Sequence, residues 1–339
     1  MLGKVIITAA NAVLPIVLLI LLGYYLRNRN FFDEKFLKTG NRLMFQICLP
    51  AMLFINVYDI PNLSAINWGL VWYCIGAVAF LFIGGLLISI VTTKEPDRKG
   101  VIWQCVFRSN FAIIGLPLTA ALANDSAEAA AAVLSAFTIP MFNIFAVIAL
   151  SFFHREKGQQ KINWKKMILD ILRNPLITGV VLGIAALVLR QIQETVIGRT
   201  CFALKSNLPF LYQTLNFLKS IASPLALIIL GGSFVFDGAR GRMREISVAV
   251  VSRLLLAPTI GIGGAYFLGN CLGLFSCSGS EYAALIALFG TPVAVSSAVM
   301  AWEMHSDHQL ATQLVVWTSV LSVFTIFLLV CVLMLIGLI

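Results

Sequence analysis

The chain has 339 residues, of which 60% are hydrophobic and only 12% charged, with a mean hydropathy of +0.94. Soluble domains carry about 25% charged residues, so this composition excludes one and marks an integral membrane protein. The net charge of +9 would suit a nucleic-acid partner only if the basic residues formed a patch; they fall instead in links between apolar runs. No GxxxxGK[ST] phosphate loop occurs, which removes an ATP-driven engine.

In chain order, apolar runs of about 17–25 residues, the length that crosses a bilayer, lie near 5–26, 42–58, 67–92, 101–123, 129–153, 172–190, 210–236, 246–270, 281–302 and 309–337. Only Lys4 precedes the first run while Arg27 and Arg29 follow it, the reverse of a cleaved signal peptide. Span 2 carries Pro50 between Gln46 and Asn56. Span 4 reads Arg108-Ser109-Asn110, then Gly115-Leu116-Pro117. Span 7 has Lys219, Ser220 and Ser223 ahead of Pro224. Span 9 holds Gly290-Thr291-Pro292, followed by Ser296 and Ser297. The longest links are 154–171 and 191–209, the second a place for a short interfacial helix. Glu281 and Asp59 fall at outer ends. Glu303, His305, Asp307 and His308 cluster after span 9 and read as a solvated loop, with proton carriage as the alternative.

Cys48, Cys74, Cys105 and Cys331 lie inside apolar runs and read as packing residues. Cys201, Cys271 and Cys277 fall in outer links, where a Cys271–Cys277 disulfide is one option. No CxxC or His/Cys cluster occurs, so neither metal nor cofactor is expected.

The basic residues orient the chain. Arg27, Arg29, Lys35, Lys38 and Arg42 follow span 1, and Lys94, Arg98 and Lys99 follow span 3. Arg155, Lys157, Lys161, Lys165, Lys166 and Arg173 follow span 5, and Arg240, Arg242 and Arg244 follow span 7. These are most of the 24 Lys and Arg, all on one side, against Lys4, Arg190, Arg199 and Lys205 on the other. Cytoplasmic loops are the basic ones, so both termini are expected outside. Arg108, Lys219 and Arg253 lie within spans.

The two Gly-x-Pro elements are 175 residues apart, and Pro50 and Pro224 are 174 apart. Spans 1–5 therefore map onto spans 6–10. Five crossings per half make the two halves run in opposite directions, an inverted repeat of the kind found in secondary transporters. The expected division is residues 1–160 and 161–339. Gly and Pro release backbone groups that lipid cannot satisfy, so such breaks persist only inside protein or beside water. New half-helices are expected to start near Leu118 and near Val293. Their N-termini would converge from opposite faces and favour an anion.

Around these breaks Asn110, Ser109, Thr291, Ser296 and Ser297 offer amides and hydroxyls to a carboxylate, or serve as interhelical contacts. Gln46 is the corresponding candidate in span 2. Arg108 has two open readings. It binds a substrate carboxylate in bidentate fashion, or it snorkels to the cytoplasmic surface nine residues past Lys99.

These motifs resemble the auxin efflux carrier family, in the bacterial branch that includes malonate and malate carriers, over essentially the whole chain. The resemblance rests on Leu49-Pro50-Ala51-Met52-Leu53-Phe54, Arg108-Ser109-Asn110-Phe111-Ala112-Ile113-Ile114-Gly115-Leu116-Pro117-Leu118, Asn174-Pro175-Leu176-Ile177, Ser223-Pro224-Leu225-Ala226-Leu227 with Gly231, and Gly290-Thr291-Pro292-Val293-Ala294-Val295-Ser296-Ser297. It implies an all-α membrane fold of ten helices in two inverted five-helix repeats, with broken helices 4 and 9 crossing in a transport domain that moves, elevator-like, against a scaffold. An organic anion would bind at that crossing, with Asn110 as the substrate-linked amide. The site set is then Arg108, Ser109, Asn110, Gly115, Pro117, Gly290, Thr291, Pro292, Ser296, Ser297 and Gln46. Many relatives have Asn in span 9 where this chain has Ser296 and Ser297. The long loop of plant relatives is replaced by 154–171, so regulation by phosphorylation there is not expected. The expected partners are a small organic anion and the lipid bilayer of the cell (inner) membrane, without nucleic acid, and a homodimer is compatible with the sequence.

Two other classes remain to be weighed. A sodium-coupled anion symporter of the bile-acid type would hold sodium on acidic and amide groups, yet the centres of spans 4 and 9 have no acid. An intramembrane enzyme would need converging His, Asp, Glu or Cys; His154, His305 and His308 all fall at span ends.

Overall fold

The computed structural model describes residues 2–60, 67–122, 125–153, 175–197, 202–234 and 241–339. The link 154–171, Cys201, Arg199 and Arg240 lie outside the described residues. Among the described residues the chain is helical, without a strand ladder. The helices are α1 (Leu2–Asn28), α2 (Glu34–Leu43), α3 (Leu49–Tyr58), α4 (Trp68–Thr92), α5 (Pro96–Phe107), α6 (Leu116–Leu122) and α7 (Asp125–Phe152). They continue as α8 (Pro175–Ile197), α9 (Leu204–Asn207), α10 (Pro209–Gly232), α11 (Met243–Val251), α12 (Gly279–Leu285), α13 (Ser296–Glu303) and α14 (His308–Leu335). The single turn α9 stands where the short interfacial helix was expected. Five described stretches are long and apolar enough to cross a membrane: Trp68–Thr92, Ala130–Phe152, Pro209–Gly232, Met243–Cys271 and His308–Leu335. The protein is therefore a multi-pass membrane protein.

Local chemistry sets the helix starts. Asp33 accepts from the Phe36 N–H, Asn67 from Leu70 and Asp307 from Leu310. Each side-chain oxygen thus pairs one of the amides a helix leaves orphaned at its N-terminus. Ser278 and Glu281 form a reciprocal capping box at the start of α12. The Asp33 cap lets α2 begin at Glu34, eight residues before the apolar run that predicted span 2.

Four prolines share one device. A wide π turn ends two residues before each of them: Met44–Cys48 before Pro50, Phe111–Gly115 before Pro117, Ser252–Leu256 before Pro258 and Ile286–Gly290 before Pro292. A proline in a regular helix clashes with the carbonyl four residues back and cannot donate to it. A π turn shifts the bonding to five residues back. Leu49, Leu116 and Ala257 accordingly donate to Met44, Phe111 and Ser252. At three of the four sites the helix then resumes; at Pro292 it stops.

This moves the break in span 4. Gly115-Leu116-Pro117 does not interrupt the helix. The backbone leaves α5 at Arg108, whose φ/ψ of −84°/113° is extended, and re-enters helix at Phe111, seven residues before the expected start at Leu118. In span 9 the non-helical segment runs from Thr291 to Val295, and α13 starts at Ser296 instead of Val293.

Helices α1, α3, α8 and α10 pack mainly on one another, as do α4, α5, α7, α11, α12, α13 and α14. In the second group Phe82, Trp103, Phe107 and Phe145 form an aromatic core, with Phe82 and Phe145 stacked at 4.2 Å and the Trp103 indole donating to the Phe82 carbonyl. In the first, α1 and α10 approach so closely that a methyl group on Gly231 would overlap the Ile20 carbonyl, and one on Gly23 the Ile228 carbonyl. Cys271 and Cys277 are free thiols.

Replacing Gly231 with Ala should therefore lower stability by about 1–3 kcal/mol, the usual cost of overpacking. Gly76→Ala, in α4 with nothing within 4 Å of the new methyl, should be neutral or stabilising by up to about 1 kcal/mol. Thermal unfolding of the purified variants measures both.

Candidate functional site

The two non-helical segments meet. Ser109 and Val293 form an isolated antiparallel bridge, and the Asn110 N–H donates to the Pro292 carbonyl at 2.8 Å. The Asn110 carbonyl in turn accepts from Ile114 and Gly115 at 3.0 and 3.1 Å, which starts the helix on the far side. Close approach requires Gly115, where a methyl group would lie 2.8 Å from the Ala287 carbonyl. The Val293 N–H donates to the Thr318 hydroxyl of α14 at 3.3 Å, and the Thr291 hydroxyl to the Ala287 carbonyl at 2.9 Å. The backbone groups freed at each break are thus paired by the other break and by neighbouring helices, as burial away from water requires.

Arg108 is 2% exposed and does not snorkel. Its Nη2 donates to Asn143 Oδ1 at 2.8 Å and to Ser296 Oγ at 2.7 Å. Its Nη1 contacts Met300 Sδ at 2.8 Å and Gln104 Oε1 at 3.4 Å. All four partners are neutral, and among the described residues no carboxylate lies in ion-pair reach of this guanidinium. The Gln104 amide also donates to the Ser297 carbonyl at 3.1 Å, tying α5 to the first turn of α13. Around this cluster, Ser109 Oγ, Asn110 Nδ2 and Ser297 Oγ are buried polar atoms without a partner among the described residues. Buried polar atoms are nearly always bonded, so such a group requires an explanation.

Of the residues singled out from the sequence, Arg108, Ser109, Asn110, Gly115, Thr291, Pro292, Ser296 and Ser297 come together here. Gly290 ends the adjoining π turn and Pro117 lies in the first turn of α6. Gln46 does not join them. It is exposed and accepts from Arg42 Nε at 3.3 Å, because the π turn Met44–Cys48 and the start of α3 turn Met44, Cys48 and Leu49 inward and leave Gln46 on the opposite face. Ser220 bonds within its own helix and Ser223 contacts Met52 Sδ at 3.8 Å. Asp307 is more than a loop residue: it pairs with Arg98 at 3.2 Å and Arg242 at 3.4 Å, while Arg98 also reaches Glu245 at 3.0 Å. That network joins the start of α5 to α11 and α14. His308 sits edge-on to Trp302.

Gln104, Asn143, Met300, Thr318 and Arg253 were missed as contributors. Two signals were available. Asn143 and Thr318 are 175 residues apart, the offset of the Gly-x-Pro pair, and each anchors one break. Arg253 is a charge within a span, a feature that is rare and usually functional; it is fully buried against backbone carbonyls of both breaks.

Two interrupted helices thus meet inside a multi-pass bundle around buried polar groups, and comparison with known families assigns the chain to the membrane transport proteins. The sequence profile of the family described as membrane transport protein (Mem_trans) matches residues 8–330. The chain belongs to this family, that of the auxin efflux carriers. It is 22% identical over 317 residues to a protein of Methanothermobacter thermautotrophicus (strain Delta H) described as an uncharacterized transporter, covering 93% of this chain and 95% of that one.

Asn143→Ala removes the buried amide oxygen that accepts from Arg108 Nη2 at 2.8 Å. Stability should fall by about 1.5–3 kcal/mol, the range for a buried hydrogen bond to a charged group. Thermal unfolding of Asn143→Ala beside Asn143→Asp reads this, with the aspartate restoring the loss.

Proposed function

We propose that this protein is a secondary transporter that carries a small organic anion, a carboxylate, across the plasma membrane. The observation that carries the reading is Arg108, a guanidinium 2% exposed whose partners among the described residues are all neutral. A buried charge is costly without a counter-charge, and a carboxylate at this position supplies one. Ser109 Oγ, Asn110 Nδ2 and Ser297 Oγ, without a partner among the described residues, are the short-range donors that would orient it. Neutral amide and hydroxyl neighbours hold the Arg108 guanidinium without quenching its charge.

In this reading ten spans form two inverted repeats, residues 1–160 and 161–339, and the broken helices α5–α6 and α12–α13 cross at the substrate. The matched offset of Asn143 and Thr318 supports the repeat. The packing of helices into two groups supports a scaffold of α1, α3, α8 and α10, and a transport domain built from the rest that carries the crossing between membrane faces. Both termini are extracytoplasmic, and the network of Arg98, Glu245, Asp307 and Arg242 lies on the cytoplasmic side of the transport domain.

Uptake of radiolabelled mono- and dicarboxylates into proteoliposomes tests the reading. Arg108→Gln should weaken uptake of the accepted anion by roughly 10–150-fold, the equivalent of one charge-assisted hydrogen bond of about 1.5–3 kcal/mol. Arg108→Lys should restore little, because a point charge cannot serve the same partners at once. Unchanged affinity in Arg108→Gln would sink the substrate role of Arg108.

A further inference from the structure

Arg253 is the second guanidinium buried within the spans, and the anion site makes no use of it. It lies in the π turn Ser252–Leu256 and is 0% exposed. Nε donates to the Thr291 carbonyl at 2.9 Å. Nη2 donates to Phe289 at 2.8 Å and Leu288 at 3.3 Å, and Nη1 to Phe107 at 3.3 Å and Val106 at 3.4 Å. These contacts match in number the five N–H donors of a guanidinium, so none is left to bind an anion. Every acceptor is a backbone carbonyl. They belong to the end of α5, to the π turn Ile286–Gly290 and to the first residue after it.

Those carbonyls are the ones a helix leaves without amide partners when it stops. Two interrupted helices end here, and each presents the negative end of its dipole. Carbonyl oxygens of unwound backbone and of half-helix C-termini are also the donor set that binds sodium ions inside transporters. A single cation between the two ends satisfies both at once.

We propose that Arg253 is a tethered cation, occupying from within the chain a carbonyl-lined junction suited to a dehydrated monovalent metal ion. The positive charge at the junction is then permanent. It neither enters with a substrate nor waits for an ion from solution, and the two helix ends stay joined whatever salt surrounds the protein. Arg253 is a positioning residue: through Thr291 and Phe107 it holds the segments that carry Ser109, Asn110 and Ser296. Shortening it would open the junction to cations from solution. This inference does not depend on the identity of the transported molecule.

The test measures thermal unfolding of the purified full chain in detergent as sodium chloride or potassium chloride replaces choline chloride at constant ionic strength. The wild-type midpoint should be the same in all three salts. Arg253→Ala should unfold at a lower temperature in choline, and its midpoint should rise saturably with sodium chloride or with methylguanidinium chloride. At ten times the dissociation constant of the cation, its folded-to-unfolded ratio should increase roughly tenfold. A role in packing alone would respond to no cation. The proposal is overturned by a saturable sodium- or potassium-specific shift in the wild type, or by an Arg253→Ala defect that neither metal ions nor methylguanidinium relieve. Should Arg253→Ala fail to fold, Arg253→Lys gives the same reading: a tethered ammonium should leave the midpoint indifferent to the salt, and a sodium-dependent midpoint overturns the proposal. Because no transport is measured, failure of the anion reading and failure of this one are separable.

Discussion

Backbone N–H and C=O groups cannot remain unpaired away from water, and two helices of this protein give theirs up in the same place. The Asn110 amide goes to the Pro292 carbonyl, the Val293 amide to Thr318, and the carbonyls at the ends of α5 and of the Ile286–Gly290 turn to Arg253. No one of these bonds is stronger than usual. Their joint effect is that neither break can exist without the other: each supplies polar partners that lipid would not. The close packing at Gly115, which lets the backbones approach, serves the same end.

Two buried arginines accompany this junction and divide its electrostatics. Arg253 faces backbone carbonyls and uses all its donors on them. Arg108 faces uncharged side chains, Asn143, Ser296, Gln104 and Met300. A guanidinium among carbonyls at helix C-termini is compensated by the helix dipoles. One among neutral amides and hydroxyls is solvated but carries an uncancelled charge. That contrast separates a guanidinium that ties helix ends together from one whose charge stays uncompensated, and it arises from which groups face each arginine: backbone carbonyls for Arg253, side chains for Arg108.

The π turns give the prolines a physical account that sequence patterning did not anticipate. Pro117 and Pro292 look alike in the sequence, each two residues past a glycine. Both are preceded by a π turn, yet α6 continues through Pro117 while the chain stays extended at Thr291. The residue before a proline is biased toward extended backbone, and at Thr291 that bias is reinforced because Arg253 and Thr318 bind the extended segment on either side of Pro292. Before Pro117 the corresponding bonds fall earlier, at Val106, Phe107 and Asn110, so the break falls earlier too.

Composition and apolar run length alone determined that this is a multi-pass membrane protein. Gly-x-Pro spacing with the flanking Arg108-Ser109-Asn110 located the residues that meet at the junction, because proline and intramembrane charge are costly and therefore informative wherever they occur. The exact position of the breaks, the burial of Arg108, the exclusion of Gln46, and the roles of Asn143 and Arg253 were decided only by tertiary structure. These depend on which carbonyls and amides from distant segments face one another, and no local propensity in the chain encodes that pairing. Arg253 lies 38 residues from Thr291 and 146 from Phe107; only the packed bundle brings its guanidinium to the helix ends that it joins.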